Sequence, residues 1–313
     1  MSESPSRWPT AVEVGEVGPR DGLQNEAPVP IEDRIRLIDA LSGTGLRRIE
    51  AVSFVSPKAI PPMAGAAEVM AGITRAPGVA YRALVPNVKG AELAIAAAVD
   101  EIEVVVSASE THNRKNVNRS TAESIAAAAE LVTLAHQAGI PVEGIVSTAF
   151  GCPYEGDVAE TRVADLAVQL RDAGADRVSF GDTTGMATPG RVHAVLDALA
   201  ARGIAAADVS LHFHNTRGTG LANVVTALGR GVGRFDASIG GLGGCPYAPG
   251  ATGNIVTEDL VHMLDDMGVA TGVDLDALLD CAHLAQDIVG RDLPSQVLTA
   301  GPRTRTVGEW ERR

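Results

Sequence analysis

The hydrophobic positions of the chain fall into two alternating kinds of segment. Short runs rich in β-branched and other apolar residues alternate with longer stretches in which apolar residues recur three and four positions apart, the spacing of one helix face. The longer stretches predict helices, most clearly at residues 31–43, 121–138 and 189–202. Thr121 gives a loose N-cap signal for the second of these helices. The short runs predict eight strands, at residues 12–17, 46–52, 79–85, 101–107, 142–148, 176–180, 208–213 and 234–239.

Eight strand–helix repeats favour a parallel sheet that closes into a barrel. The expected fold class is therefore α/β, a (β/α)8 TIM barrel, with an open doubly wound sheet as the alternative. Further helical patterns near 256–268 and 274–289 predict extra C-terminal helices after the eighth strand. No linker or change of composition divides the chain, so we expect one catalytic barrel over residues 12–300, with a frayed tail at 1–11 and a C-terminal tail at 301–313.

Composition and charge narrow the classes of function. Hydrophobic residues make up 45% of the 313 residues but aromatic residues only 3%, so aliphatic side chains must fill the core. The net charge of −13 argues against nucleic acid or an anionic membrane as a partner, because both require a basic surface. No apolar run approaches the roughly 20 residues that span a bilayer. Three cysteines without a secretory signal predict reduced thiols and a cytoplasmic protein.

Polar residues cluster where the predicted strands end, which is where barrels of this class carry their chemistry. His212 and His214 lie two residues apart in strand seven, so both imidazoles share one face. Asp21 after strand one and Asn254 after strand eight can reach the same mouth. Two nitrogen and two oxygen ligands suit a divalent cation such as Mg2+, Mn2+, Co2+ or Zn2+. The alternative is that one histidine is a satisfied core residue and the other is exposed.

Two further side chains are candidates for catalysis. Arg20 adjoins the predicted ligand Asp21, and its guanidinium could stabilise a developing oxyanion. A structural ion pair with Glu50 or Asp21 is the alternative, and a pair with Glu50 is compatible with the catalytic role. Cys245 lies in a glycine-dense loop, GGLGGCPY, that is typical of a mobile lid. An inert packed cysteine is the alternative there.

Several motifs carry a resemblance to a known family. They are VGPRDGLQNE at 17–26, SFVSPK at 53–58, GCPYEG at 151–156, GDTTGMATPG at 181–190 and GGLGGCPYAPGATGN at 240–254. Together they resemble the 3-hydroxy-3-methylglutaryl-CoA lyases, which belong to the DRE-TIM metallolyase superfamily. The resemblance runs from about residue 12 to about residue 270, and the last motif is specific to the lyase branch.

The resemblance implies a role for each candidate residue. Asp21, His212, His214 and Asn254 look like the ligands of a divalent metal cofactor, Mg2+ or Mn2+. The catalytic residues implied are Arg20 on the thioester enolate, Glu50 as the carboxylate that holds Arg20 or the hydrogen bonds of the metal site, His212, Cys245 as the lid cysteine, and Asp182 facing the substrate. The substrate-binding residues implied are Arg20, Gln24, Ser53 and Thr183.

The implied reaction is retro-Claisen cleavage of 3-hydroxy-3-methylglutaryl-CoA to acetyl-CoA and acetoacetate, a step of leucine degradation and ketone-body metabolism. His212 or Asp21 would accept the hydroxyl proton. The implied partners are an acyl-CoA substrate and a second copy of the chain, with no nucleic acid or membrane. The alternatives are a lyase for a bulkier 3-hydroxyacyl-CoA, a Claisen-condensing acyltransferase of the same superfamily, and a non-catalytic acyl-CoA-binding relic.

The sequence departs from the family pattern at two places that bear on substrate binding. The strand-seven segment HCHDTYG of the family is here HFHNTRG, so Asn215 replaces a carboxylate and Arg217 adds a cation. The basic residue that follows QNE in the family is here Ala27. Both departures are expected to affect how the acyl tail or the coenzyme is held.

Overall fold

Eight parallel strands pair in chain order and close on themselves in the computed structural model, which describes residues 8–243 and 253–306. The eighth strand returns to the first, with Val14 opposite Phe235 in the register. The strands are β1 Glu13–Glu16, β2 Arg48–Ser53, β3 Ala80–Leu84, β4 Glu101–Ser107, β5 Val142–Ser147, β6 Arg177–Gly181, β7 Val209–His212 and β8 Arg234–Ala237. The closed barrel confirms the predicted fold class and excludes the open sheet.

Helices follow the strands around the outside of the barrel. Those between the strands are α1 Ile31–Ser42, α2 Ala66–Gly72, α3 Val88–Ala96, α4 Glu110–Val117, α5 Thr121–Gln137, α6 Glu160–Asp172, α7 Pro189–Ala201 and α8 Gly220–Leu228. After β8 come α9 Thr257–Asp266, α10 Leu275–Val289 and α11 Gln296–Ala300, which confirm the expected extra C-terminal helices.

The apolar core lies mainly between the sheet and the helices. Leu37 of α1, Leu170 of α6 and Leu199 of α7 are almost completely buried there, on helix faces with the expected spacing. Aliphatic side chains dominate this layer, as the low aromatic content predicts. The inside of the barrel is different, because charged side chains such as Arg82 and Glu103 fill part of it.

The N-terminal residues contact the barrel before the first strand begins. Trp8 packs against the core, and Ala11 forms a bridge with Ala270 beside α9. Contacts with the barrel therefore start before residue 12, inside the segment expected to be a tail. Cys152 and Cys281 are buried and unpaired. Within the described residues, no helix combines the length and the apolar character needed to cross a membrane.

Candidate metal centre and active site

A single turn of π-helix follows β1 and places two charged side chains at the barrel mouth. It spans Gly18–Gly22, with the sequence GPRDG. Gly18 is required by space, since a Cβ there would lie 2.7 Å from Glu16 Oε1. Short π-helical turns often occur at functional sites. This turn holds Arg20 and Asp21, both largely buried, at the C-terminal end of β1.

A short antiparallel bridge brings the end of β7 beside the residues that precede α9. His212 is the last residue of β7, and His214 pairs directly with Asn254. The Ile255 N–H donates to the Phe213 carbonyl oxygen at 3.0 Å. Backbone pairing therefore places the Asn254 side chain at the same mouth as both histidines.

Asp21, His212 and His214 form a group whose geometry suits a metal ion, here called the metal group. One ligand atom of each lies within 4.8 Å of the others. The Nε2 atoms of His212 and His214 are 3.2 Å apart, and His212 Nε2 lies 3.9 Å from Asp21 Oδ2. Lone-pair-bearing atoms converge in this way where a cation is held between them.

Asn254 completes the set and provides a test of whether a metal fits. Its Nδ2 donates to Asp21 Oδ2 at 2.8 Å and to the Leu242 carbonyl oxygen at 3.1 Å. Its Oδ1 is buried without a hydrogen-bond partner among the described residues. A buried acceptor with no donor is costly unless something else binds it. A donor set of two imidazoles, a carboxylate and an amide oxygen suits a divalent cation.

Burial and neighbouring charges shift the pKa values of these groups, and for Asp21 and His214 the shifts favour the forms that bind a cation. Burial alone would raise the pKa of Asp21, but Arg20 and the histidines hold it below its usual value. Burial lowers the pKa of His214 to about 4, so its imidazole is neutral at neutral pH. Burial opposes the charged form of His212 as well, but Asp236 and Asp21 raise its pKa above the usual value.

Arg20 forms a two-pronged ion pair with Glu50 and a third bond to Asp21. Its Nε and Nη2 donate to the two carboxylate oxygens of Glu50 at 2.5 and 2.8 Å, and its Nη1 donates to Asp21 Oδ1 at 2.9 Å. A register shift in β2 between Glu50 and Val52 accompanies this placement, and such bulges re-aim side chains near active sites. Both ion pairs considered as structural alternatives are therefore present, and the bond to Asp21 ties Arg20 to the metal group.

Asp182 and Thr183 lie at the end of β6. Asp182 Oδ1 accepts from the N–H groups of Met186 and Ala187 at 2.7 and 2.9 Å, whereas its Oδ2 is buried without a partner among the described residues. Burial raises the pKa of Asp182 to about 7. The Thr183 hydroxyl accepts from the Thr148 N–H at 3.0 Å. Asp182 thus keeps one free oxygen, while Thr183 is already engaged in positioning the end of β5.

The remaining predicted site residues, Gln24, Ser53 and Cys245, differ in their relation to the metal group. Gln24 Nε2 donates to Asp21 Oδ1 at 2.6 Å, so Gln24 joins the site through the metal group. The buried Ser53 hydroxyl donates to the Leu84 carbonyl oxygen at 3.2 Å, a bond within the sheet. Cys245 lies outside the described residues. The roles predicted for these three side chains stay predictions.

Arg217 and Asn215, the two residues near β7 that depart from the family pattern, make hydrogen bonds within the structure. Arg217 Nη1 donates to the carbonyl oxygens of Thr184 and Gly185 at 2.9 and 2.7 Å, which ties the loop after β7 to the loop after β6. Asn215 Oδ1 accepts from the Gly220 N–H at 3.1 Å, at the start of α8. Both side chains therefore brace the barrel mouth.

Sequence reasoning missed the charged residues inside the barrel, among them Asp236 and Arg82. Asp236 Oδ2 lies 3.7 Å from His212 Nδ1, directly behind the metal group. The signal that could have found such residues is the alternation of charges in the strand sequences, for example in EIE at 101–103, where alternate positions face the barrel interior.

Comparison with known proteins gives matches over nearly the whole chain. The HMGL-like family model matches residues 11–285. A hydroxymethylglutaryl-CoA lyase of Bacillus subtilis is 50% identical, over 93% of this chain and 97% of that protein. A 3-hydroxy-3-isohexenylglutaryl-CoA/hydroxy-methylglutaryl-CoA lyase of Pseudomonas aeruginosa is 44% identical, over 93% and 97%. The structure of an HMG-CoA lyase from Acinetobacter baumannii in complex with coenzyme A and 3-methylmalate superimposes with a TM-score of 0.91 at 46% identity, covering 95% of this chain and 97% of that one.

Proposed function

The chain belongs to the HMGL-like family, and on that premise we propose that it is a divalent-metal-dependent lyase that cleaves 3-hydroxy-3-methylglutaryl-CoA to acetyl-CoA and acetoacetate. The observation that carries the proposal is the convergence of Asp21, His212 and His214 with Arg20 at one barrel mouth. Proteins of 44% and 50% identity with this chain carry the name of that lyase. These relatives do not favour the Claisen-condensing alternative.

The cleavage requires charge to move across the substrate in a defined order. A base removes the proton from the C3 hydroxyl, and the C2–C3 bond breaks as C3 becomes a ketone. The bonding electron pair passes to the thioester as an enolate, and C2 then takes up a proton to give acetyl-CoA. His212 or Asp21 accepts the hydroxyl proton in this proposal, and Cys245 delivers the proton to C2.

Arg20 is the residue placed to stabilise the enolate. Its guanidinium is held by Glu50 in a fixed orientation, so little reorganisation is needed when negative charge develops on the thioester oxygen. A preorganised donor of this kind typically contributes about 3–4 kcal/mol to lowering the barrier. A divalent cation held by Asp21, His212, His214 and Asn254 would supply Lewis acidity toward the hydroxyl and carboxylate oxygens of the substrate.

The first experiment is a coupled assay of the purified protein with 3-hydroxy-3-methylglutaryl-CoA, Mg2+ or Mn2+ and a thiol reductant. We expect release of acetoacetate that EDTA abolishes and added metal restores. Release that is indifferent to EDTA would contradict the metal-dependent mechanism. No release from any 3-hydroxyacyl thioester, although the protein binds Mn2+, would contradict the proposed activity.

A substrate with a longer tail is the second candidate. The relative from Pseudomonas aeruginosa carries the names of both the isohexenylglutaryl-CoA and the hydroxymethylglutaryl-CoA activities. The loops after β6 and β7, which Arg217 ties together, border the mouth through which such a tail would extend. Parallel kinetics with both thioesters decide between the two, since the ratio of their kcat/KM values measures the preference directly.

We further propose that Mg2+ or Mn2+ is the cofactor and that the protein acts as a homodimer in the cytoplasm, in leucine degradation. The family resemblance supports the dimer, and the match to a Bacillus subtilis relative supports the location. Light scattering after gel filtration should give twice the mass of one chain. A mass equal to one chain at assay concentrations would contradict the dimer without affecting the proposed reaction.

A further inference from the structure

A network of buried charges occupies the inside of the barrel beneath the metal group. The Arg82 side chain is completely buried. Its Nη1 lies 2.5 Å from Glu103 Oε1 and 3.5 Å from Glu143 Oε2, and its Nη2 lies 3.1 Å from Asp236 Oδ1. Barrel interiors are usually filled by branched aliphatic side chains. Buried charges are costly unless they are paired, so this network must be held together by geometry that the strands fix.

Asp236 is the member of this network that reaches the predicted metal ligands. Its Oδ1 accepts a hydrogen bond from Arg82 Nη2 at 3.1 Å, and its Oδ2 lies 3.7 Å from His212 Nδ1. The opposite ring nitrogen, His212 Nε2, faces His214 Nε2 at 3.2 Å and Asp21 at 3.9 Å. The imidazole of His212 therefore stands between a carboxylate on one side and the metal group on the other.

The barrel leaves space for the contact between Arg82 and Asp236. Gly15 of β1 is directly opposite Asp236 of β8 in the strand register. A Cβ on residue 15 would lie 2.2 Å from Asp236 Oδ1 and 2.7 Å from Arg82 Nη2. Any side chain at position 15 would displace one of the two partners. The glycine is thus part of the arrangement that holds Asp236 behind His212.

We propose that Asp236, anchored by Arg82, is a positioning residue that fixes the tautomer and ring orientation of His212. With the proton on Nδ1 directed at the Asp236 carboxylate, the Nε2 lone pair is directed at the metal group. His212 then has no free lone pair, so of the two candidate bases Asp21 is the one that accepts the hydroxyl proton. Carboxylates that support metal-binding histidines in this way raise the basicity of the ligand nitrogen and restrict its rotation. The inference rests on the proposed metal site and adds the residue that supports it.

Arg82 anchors the supporting group by direct contact. Its Nη2 donates to Asp236 Oδ1 at 3.1 Å, so the buried carboxylate has a cationic partner inside the barrel. Glu103 and Glu143 also contact Arg82. Arg82 therefore keeps Glu103 and Glu143 as partners when the Asp236 charge is removed. The variant Asp236→Asn removes that charge and retains the shape of the side chain.

The test compares the Mn2+ affinities of Asp236→Asn and Glu101→Gln, measured by electron paramagnetic resonance of free Mn2+. Glu101 is a matched control, because it is a buried carboxylate of the same network. Its Oε1 lies 2.6 Å from Arg48 Nη2, whereas the Asp236 carboxylate faces His212. We expect Asp236→Asn to weaken Mn2+ binding about 10–100-fold, the usual effect of losing such a supporting group. We expect Glu101→Gln to stay within about twofold of the wild-type protein, since it does not support a metal-binding histidine.

Two results would overturn the role of Asp236 as a positioning residue. One is wild-type Mn2+ affinity in Asp236→Asn, and the other is an equal loss in Glu101→Gln, which would indicate a general effect of core charge. If Asp236→Asn fails to fold by circular dichroism, Gly15→Ala takes its place, with the same expected weakening and the same contrary outcome. Failure of the wild-type protein to bind Mn2+ would instead contradict the metal site of the proposed function.

Discussion

Arg20 illustrates how one side chain at the site serves two purposes. Arg20 is 8% exposed, and its guanidinium bonds both Glu50 and Asp21. The bonds to Glu50 use the fork geometry of the guanidinium, which a lysine ammonium cannot reproduce. Complete removal of Arg20 would leave the Glu50 carboxylate buried and unpaired, so a variant that keeps a positive charge gives the cleaner comparison.

Arg20→Lys should reduce kcat by about 100- to 1000-fold, because the preorganised donor to the developing oxyanion is lost. KM for the thioester should change much less, since the lost interaction belongs to the transition state. Steady-state kinetics with saturating Mn2+ measure both. Arg36→Lys, on the exposed pair with Asp33, is the matched control and should behave as wild type. A kcat within threefold of wild type in Arg20→Lys would remove Arg20 from the mechanism.

The buried carboxyl of Glu258, at the start of α9, allows a test of how ionisation inside the protein affects the free energy of unfolding. The Gly240 N–H lies 3.1 Å from both carboxylate oxygens of Glu258, and burial raises the pKa of this carboxyl to about 8. Between the unfolded value of 4.5 and about 8, the folded protein holds a proton that the unfolded chain has released. The free energy of unfolding therefore falls as the pH rises through this window.

Glu258→Gln should flatten this dependence on pH, by up to about 1.4 kcal/mol for each pH unit between pH 5 and pH 8. Glu16 and Asp182, whose pKa values burial raises to about 7, add slopes of the same sign that remain in the variant. Urea unfolding at four pH values in this range measures the slope. The exposed Glu130 on α5 supplies the control Glu130→Gln, and an equal flattening there would contradict the assignment to Glu258.

The residues of the candidate site were unequally predictable from the sequence. Asp21, His212, His214 and Asn254 follow from their positions at strand ends, and the structure brings these four together. Asp236 could not be assigned in the same way, because its contacts with Arg82 and His212 join residues far apart in the chain. The register of the closed barrel determines these contacts, and no local pattern encodes it.

At the scale of elements, the hydrophobic pattern located both ends of all eight strands to within two residues. The helix pattern at 121–138 corresponds to α5, Thr121–Gln137, but the N-cap is Ser120 and not Thr121. Ser120 and Glu123 form a reciprocal capping box, whose signature is the S-x-x-E spacing. α4 was not predicted as a helix, because its sequence ETHNRKNV has almost no apolar residues from which a period could be read.

Ser120→Ala should lower the free energy of unfolding by about 1 kcal/mol, the usual contribution of a serine N-cap. The Ser120 hydroxyl accepts from the Glu123 N–H at 3.2 Å, and alanine leaves that donor without its partner. Urea midpoints measure the loss. Ser120→Asp keeps an acceptor at the N-cap and should retain most of the stability. Equal losses in the two variants would show that the capping bond does not stabilise α5.

At the scale of the whole molecule, sequence patterning accounts for the barrel and its outer apolar layer but not for its charged interior. The strands alternate as expected, yet alternate positions such as Arg48, Glu101 and Glu143 carry charges that meet inside the barrel. An alternating charged strand is usually read as half-exposed. Only closure of the sheet turns those positions inward and pairs opposite charges from different strands.

The metal group joins parts of the chain that are distant in sequence, so a bound cation should stabilise the entire fold. Asp21 follows β1, His212 ends β7, and Asn254 precedes α9. A ligand that binds only the folded state at about 100 times its Kd adds about 2.7 kcal/mol to the free energy of unfolding. We therefore expect Mn2+ to raise the thermal midpoint of the wild-type protein relative to EDTA, in a scanning fluorimetry titration. Asp21→Ala should lose this rise while keeping the Arg20–Glu50 pair, and an undiminished rise in that variant would place the cation elsewhere.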